Sequence, residues 1–97
     1  MAPNARAISD EDLQDALRSL EGWRVEDGKL KRTFKFADFS EALGWMVRAG
    51  LEAEKLDHHP DWSNSWNKVE VALKTHSIDA LSDLDVKLAT RMSELAG

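Results

Sequence analysis

Two of the chain's three histidines, His58 and His59, are adjacent in the segment EKLDHHPDW, residues 54–62. The third, His76, follows a run of alternating apolar residues in Thr75-His76-Ser77. Histidine is the side chain whose ordinary pKa lets it take up or release a proton near neutral pH. Histidines grouped beside carboxylates and a tryptophan therefore indicate a proton-transfer site, provided that the fold brings His76 back to the other two.

Each histidine taken alone also has a purely structural interpretation. His58 lies near the end of a predicted helix, where the helix dipole stabilises a cation. His59 precedes Pro60, which favours an extended conformation, so it could be a half-exposed loop residue. His76 could be a polar residue at a strand end. The functional interpretation rests on all three together, because three separate coincidences would otherwise have to account for every histidine in the chain.

Metal binding and nucleophilic catalysis fit the sequence less well. Neighbouring side chains of an extended segment point in opposite directions, so His58 and His59 are poorly placed to hold one ion. The chain has no cysteine, no established zinc spacing and no glycine-rich phosphate loop. A Ser-His-Asp triad could be drawn with Ser65 or Ser77, but no nucleophile-elbow motif supports it. Three histidines could still bind zinc in principle, but our prediction is a site without metal.

Two carboxylates and a tryptophan are expected near the histidines. Glu54 falls on the apolar face of the second predicted helix, one turn before His58, where a carboxylate needs a partner such as an imidazole. It could equally reach water from the edge of that face. Asp85 lies in the first turn of the third predicted helix, where an acidic residue usually belongs to the cap. Trp62 has the spacing of a core residue, and its flat ring would also suit a planar heterocycle.

Caps and turns predict the elements that must position these residues. Ser9, Asp38 and Ser82 begin helices over about residues 9–22, 38–57 and 82–97. Two hairpins lie between the helices. The first pairs residues 23–26 with 30–36 around Asp27-Gly28, and the second pairs residues 62–66 with 69–75 around Asn67-Lys68.

The order α-β-β-α-β-β-α predicts an α+β fold, a four-stranded antiparallel sheet with three helices packed on one face. The 97 residues fit one domain that spans residues 1–97, after a short irregular arm at residues 1–7. On this sheet, the basic cluster Lys29, Lys31, Arg32 and Lys35 is expected to form a solvated face.

The second helix has an apolar arc that is wider than one sheet needs. Its centre runs from Phe39 to Ala53, with Trp45 and Leu51 on opposite flanks. We expect self-association, as a homodimer or homotetramer, through this helix and the sheet edge. The alternative is that Trp45 lies flat on its own domain.

Composition and charge limit the classes of binding partner and the cellular compartment that the sequence predicts. The net charge of −5 disfavours a nucleic-acid partner, and no apolar run approaches the length of a membrane span. The N-terminus lacks the apolar core of a secretory signal, and the absence of cysteine favours the cytoplasm.

These residues resemble the pterin-4a-carbinolamine dehydratase family over nearly the whole chain. The pattern E-K-x-x-H-H-P-x-W followed by T-H carries the resemblance, together with Asn64, the stretch 67–69, Leu73, Leu81-Ser82, Asp85 and Leu88-Ala89. One position departs from the pattern, because the family often has tyrosine where this chain has Trp66.

The resemblance implies a reaction and a set of site residues. The family removes water from a 4a-hydroxytetrahydropterin to give the quinonoid dihydropterin, which recycles the pterin of aromatic amino acid hydroxylases without a cofactor or metal. By position, the acid–base residues would be His58, His59 and His76. The pterin substrate would be contacted by His58, His59, Pro60, Thr75, His76, Ser77 and Ile78, with Glu54, Trp62 and Asp85 in support.

A second hypothesis belongs to another class of protein. The chain could be a non-catalytic homo-oligomeric binding or regulatory module that uses the Trp45 face of the second helix. In that case the histidines would be dispensable, whereas a charged residue at Trp45 would abolish partner binding.

Overall fold

The computed structural model describes residues 5–97, and it confirms the α+β class and the predicted order of elements. The elements are α1 (Asp10–Leu17), β1 (Arg24–Glu26), β2 (Lys29–Lys35), α2 (Phe39–Leu56), β3 (Asp61–Ser65), β4 (Lys68–Leu73) and α3 (Asp83–Ala96). A single-turn 3-10 helix, His76–Ile78, lies between β4 and α3. Residues 1–4 of the predicted arm lie outside the described residues; at its other end, Ala7 forms a β-bridge with Ser82.

The sheet has the strand order β1-β2-β4-β3, and every neighbouring pair is antiparallel. Alternation gives it one apolar face, which packs against the helices, and one polar face. The apolar face contributes the buried residues Leu30, Phe34, Val69, Val71 and Leu73. Because the polar face bears no helix, the side chains along it remain available to solvent.

Arg32 is the exception in the basic cluster that was expected to be solvated. It has the parity of Leu30 and Phe34, so it lies on the helix side, with its guanidinium 4.2 Å from the centre of the Phe34 ring. Its Nη1 donates to Ser93 Oγ at 3.0 Å. The other three members, Lys29, Lys31 and Lys35, have the opposite parity, as expected.

The ends of α2 and α3 follow the predicted caps. Asp38 accepts a hydrogen bond from the Glu41 amide at 2.8 Å and begins α2. Asp57 ends α2 in the left-handed conformation (φ 49°), with its amide bonded to the carbonyls of Ala53 and Glu54. This abrupt end directs the chain into His58. Helix α3 begins with a complete capping box formed by Ser82 and Asp85.

The first helix is shorter than predicted. It ends at Leu17, and the amides of Ser19 and Leu20 then bond to carbonyls three residues back. Gly22, with φ of 87°, makes the turn that leads into β1. The apolar pattern continues beyond the helix to Leu20, which is buried. Leu20 reaches the core through the tighter turn that follows α1 and not through the helix itself.

The second hairpin turn is displaced by one residue from the prediction. Its turn residues are Trp66 and Asn67, and Trp66 has a positive φ of 50°. The Asn67 side chain is buried and donates to the Phe36 carbonyl, while the Phe36 amide donates to the Asn67 carbonyl. These bonds hold Asn67 in the turn. Trp66 therefore does not share a sheet face with Trp62, and it is 66% exposed.

Trp45 lies in the core of its own domain, which is the alternative to its expected role in self-association. Its side chain is fully buried, and its indole N–H donates to the Met92 carbonyl at 3.1 Å. The ring lies 4.4 Å from Phe34 and 5.3 Å from Phe36, between centroids. The exposed apolar residues of α2 are instead Phe39, Leu43, Val47 and Leu51.

We expect Trp45→Ala to lower the free energy of unfolding by about 3–5 kcal/mol, because it empties the centre of the core. The matched control, Trp66→Ala, removes an exposed ring and should change it by less than about 0.5 kcal/mol. Urea unfolding followed by circular dichroism measures both. Equal losses for the two variants would contradict this description of the core.

Candidate active site

The β3/β4 hairpin brings the two histidine-bearing segments together. Asp61, the first residue of β3, pairs with Ala72 near the end of β4. The segment 58–60 leads into β3, and Thr75–Ile78 follows β4. Because the strands are antiparallel, the start of one and the end of the other lie at the same end of the sheet. The return of His76 towards His58 and His59, on which the sequence argument depended, is thus a consequence of strand pairing.

His58 is fully buried and paired with a buried carboxylate. Its Nε2 lies 2.5 Å from Asp85 Oδ1, and neither side chain is more than 1% exposed. A carboxylate is only an acceptor, so the imidazole donates through Nε2. His58 Nδ1 has no hydrogen-bond partner among the described residues.

Asp85 is the centre of a buried polar network. Its Oδ2 accepts from Thr75 Oγ1 at 2.8 Å and from the Ser82 amide at 2.9 Å, and the Thr75 and Ser82 hydroxyls lie 2.6 Å apart. All four side chains of the network are buried. The network joins the end of α2, the end of β4 and the start of α3, so one carboxylate both caps α3 and holds the histidine.

His59 lies in a more open environment and contacts a different carboxylate. Its Nε2 is 2.6 Å from Glu54 Oε1, and its side chain is 53% exposed. The sequence left open an imidazole partner or contact with water for Glu54, and the structure shows both, because the carboxylate contacts His59 and is exposed. Glu54 itself is 75% exposed, so its carboxylate retains contact with water.

His76 is the second half-exposed histidine, and it too meets a carboxylate through Nε2. The partner is Asp61, whose Oδ2 lies 3.0 Å away. The sequence argument did not single out Asp61, because a lone acidic residue after Pro60 is indistinguishable from an ordinary surface charge on a strand. Only the pairing of β3 with β4 identifies it.

The turn that carries His76 is closed by a second ion pair. Lys74 Nζ contacts Asp79 Oδ1 across the 3-10 helix. The hydrogen bond and the positive charge of Lys74 hold the pKa of the Asp79 carboxyl below its ordinary value. Asp79 therefore stays ionised at neutral pH, and the pair helps to hold the turn in place.

The remaining predicted site residues differ in exposure. Thr75 is buried in the Asp85 network, Pro60 and Ile78 are half-buried, and Ser77 is exposed. Trp62 is half-buried, with its ring 6.1 Å from that of Trp45, so it belongs mainly to the layer between sheet and α2. Among residues 5–97, no group of three or more histidine or acidic side chains is placed to hold a metal ion.

Comparison with known proteins identifies the family. The family model described as pterin 4 alpha carbinolamine dehydratase matches residues 6–95. Relatives from Brucella ovis and Brucella abortus, which carry this dehydratase name provisionally, are 48% identical over 92 residues. The match covers 93% of this chain and 95% of each relative. The chain belongs to the pterin-4a-carbinolamine dehydratase family.

Solved structures share the fold. A protein from Brucella melitensis, described as a transcriptional coactivator/pterin dehydratase, has a TM-score of 0.90 and 47% identity, over 95% of this chain and all of that chain. A pterin dehydratase-like protein described as a RuBisCO assembly factor of the alpha-carboxysome has a TM-score of 0.64 and 17% identity, over 77% of this chain and 87% of that chain. The second likeness concerns the fold alone. None of the helices within residues 5–97 is long and apolar enough to cross a membrane.

The buried pair predicts a large difference in stability between two histidine variants. His58→Ala leaves Asp85 buried without its imidazole, and we expect it to cost about 3–5 kcal/mol of unfolding free energy. His59→Ala removes an exposed pair and should cost no more than about 1 kcal/mol. Urea denaturation measures both, and a His58→Ala variant as stable as His59→Ala would contradict the role given to the network.

Proposed function

We propose that the protein removes water from 4a-hydroxytetrahydropterin to give the quinonoid dihydropterin, thereby recycling the pterin of aromatic amino acid hydroxylases. The observation that carries the proposal is that each histidine meets its own carboxylate through Nε2, on neighbouring segments. Family membership supports the same reaction. As a hydro-lyase reaction it would need neither metal nor cofactor from the protein.

The reaction requires two proton movements and no net oxidation. The C4a–O bond breaks, and the departing hydroxyl takes a proton to become water. The lone pair of N5 forms the new C4a=N5 double bond, and N5 gives up its proton. Groups that exchange protons near neutral pH serve both steps, each contributing about 10²–10⁴-fold in rate.

The difference in exposure suggests different roles for the three histidines. His59 and His76 are half-exposed and can meet a pterin directly, so we assign them the two proton movements. His58 is inaccessible in the Asp85 network, and we assign it the task of holding the segment that carries His59. Pro60, Ser77 and Ile78 adjoin the two exposed histidines in sequence and would contact the pterin.

We expect His59→Ala and His76→Ala each to lower kcat by about 10²–10⁴-fold, because each removes one proton-transfer group. The measurement is the accelerated decay of 4a-hydroxytetrahydropterin generated by a hydroxylase. Trp66→Ala serves as the matched control and should retain wild-type activity, because Trp66 lies in the turn at the opposite end of the β3/β4 hairpin from both segments. Wild-type protein that leaves the decay rate unchanged would contradict the proposed function.

The exposed stripe of α2 supports self-association. Phe39, Leu43, Val47 and Leu51 recur every four residues and are 47–61% exposed. They form a stripe about 18 Å long on one side of the helix. A two-fold pair of these helices would cover both stripes with the same apolar residues, so we propose a second copy of the chain as the occupant.

We expect Val47→Glu to shift the protein towards the monomer, because it places a charge at the centre of the stripe. Sedimentation velocity at several concentrations measures the shift. Trp66→Glu introduces the same charge at another exposed apolar residue and should leave the assembly unchanged. A wild-type protein that sediments as a monomer at all concentrations would contradict this interface.

A further inference from the structure

Asp61 is the one carboxylate partner of a histidine that neither the capping pattern nor the family pattern assigns. It is the first residue of β3, half-exposed, at the end of the sheet where the 3-10 helix begins. Its Oδ2 lies 3.0 Å from His76 Nε2. Unlike Asp85, it takes no part in a helix cap, so no structural task accounts for its position beside the imidazole.

The main chain around His76 is held independently of Asp61. The Thr75 amide bonds to the Ala80 carbonyl, and the amides of Ile78 and Asp79 bond back to Thr75 and His76. Thr75 Oγ1 is bound to Asp85. These bonds hold the backbone of the turn, whereas the hydrogen bond of the His76 ring is to Asp61.

The contact also selects the form of the imidazole. A carboxylate only accepts, so it favours the tautomer with the proton on Nε2 and leaves Nδ1 as the nitrogen with a free lone pair. The same orientation holds at His58 with Asp85 and at His59 with Glu54. In an imidazole that holds its proton on Nε2 in this way, Nδ1 is the nitrogen that carries the lone pair.

We propose that Asp61 is a positioning residue: it orients the His76 ring and holds its proton on Nε2, so that Nδ1 faces the substrate. The inference rests on the proposed dehydratase function for its kinetic consequence. The hydrogen bond and the tautomer that it favours can be tested without any pterin.

The experiment compares Asp61→Ala with Asp61→Glu and with the control Glu70→Ala. Glu70 is an exposed carboxylate on the same polar sheet face, on the neighbouring strand β4, and contacts no histidine. Nitrogen-15 correlation spectra of the imidazoles report the tautomer, and steady-state kinetics of pterin dehydration report kcat and KM. Circular dichroism confirms that each variant is folded.

We expect wild-type His76 to carry its proton on Nε2, and Asp61→Ala to convert it to a mixture of tautomers. We expect the kcat of Asp61→Ala to fall about tenfold, less than on loss of His76 itself, with KM within about twofold of wild type. Asp61→Glu should restore both properties in part, and Glu70→Ala should change neither.

Two outcomes separate this inference from the proposed function. Wild-type protein without dehydratase activity would contradict the function, while the tautomer comparison would still decide whether Asp61 sets the form of His76. An Asp61→Ala variant that keeps the wild-type tautomer and the wild-type kcat would overturn the inference. If Asp61→Ala fails to fold, Asp61→Val, which suits a strand and cannot accept a hydrogen bond, replaces it under the same criteria.

Discussion

The hydrogen bond between His58 and Asp85 is the interaction on which the rest of the site depends. It joins His58, two residues beyond the end of α2, to Asp85, the third residue of α3, through a carboxylate that also binds Thr75 after β4. Taking these groups out of water is costly, and the cost is offset only because Asp85 accepts hydrogen bonds from three donors. Since the partners come from three elements, the network can form only when helices and sheet are correctly assembled.

In the proposed reaction, the buried histidine has a structural role and the two exposed histidines transfer protons. The buried histidine and its network fix the ends of α2 and β4, and the two exposed histidines extend from those fixed points. Each exposed imidazole contacts a carboxylate of its own, Glu54 for His59 and Asp61 for His76. Both imidazoles are therefore half-exposed and hydrogen-bonded at the same time.

The comparison with solved structures supports the fold more strongly than it supports a function. The fold is shared by a structure that is 47% identical and by one that is only 17% identical and is described as an assembly factor. A shared fold therefore does not settle chemistry, because function resides in the site that a fold carries. In this chain the residues that favour a dehydratase are the three histidines and the carboxylates that contact them.

Local signals in the sequence determined the elements and most of their ends. These signals act within a few residues, so they can be interpreted without the fold. They are the caps at Ser9, Asp38 and Ser82, the Asp27-Gly28 turn, and the alternation of β2 and β4. Errors arose where a distant contact decided the outcome. Asn67 lies in the turn because its side chain bonds to Phe36, 31 residues away. Trp45 is buried because residues of α3 and β2 pack around it.

The same distinction between local signals and distant contacts applies to the site. The sequence by itself determined that three histidines, with Glu54 and Asp85, formed a proton-transfer candidate, because residue type sets the chemistry. Only the tertiary structure decided which carboxylate meets which histidine, that His58 is buried while His59 and His76 are not, and that Asp61 contacts His76. Those pairings depend on the register of β3 with β4 and on where α3 begins, and these are set by packing between elements that lie far apart in the chain.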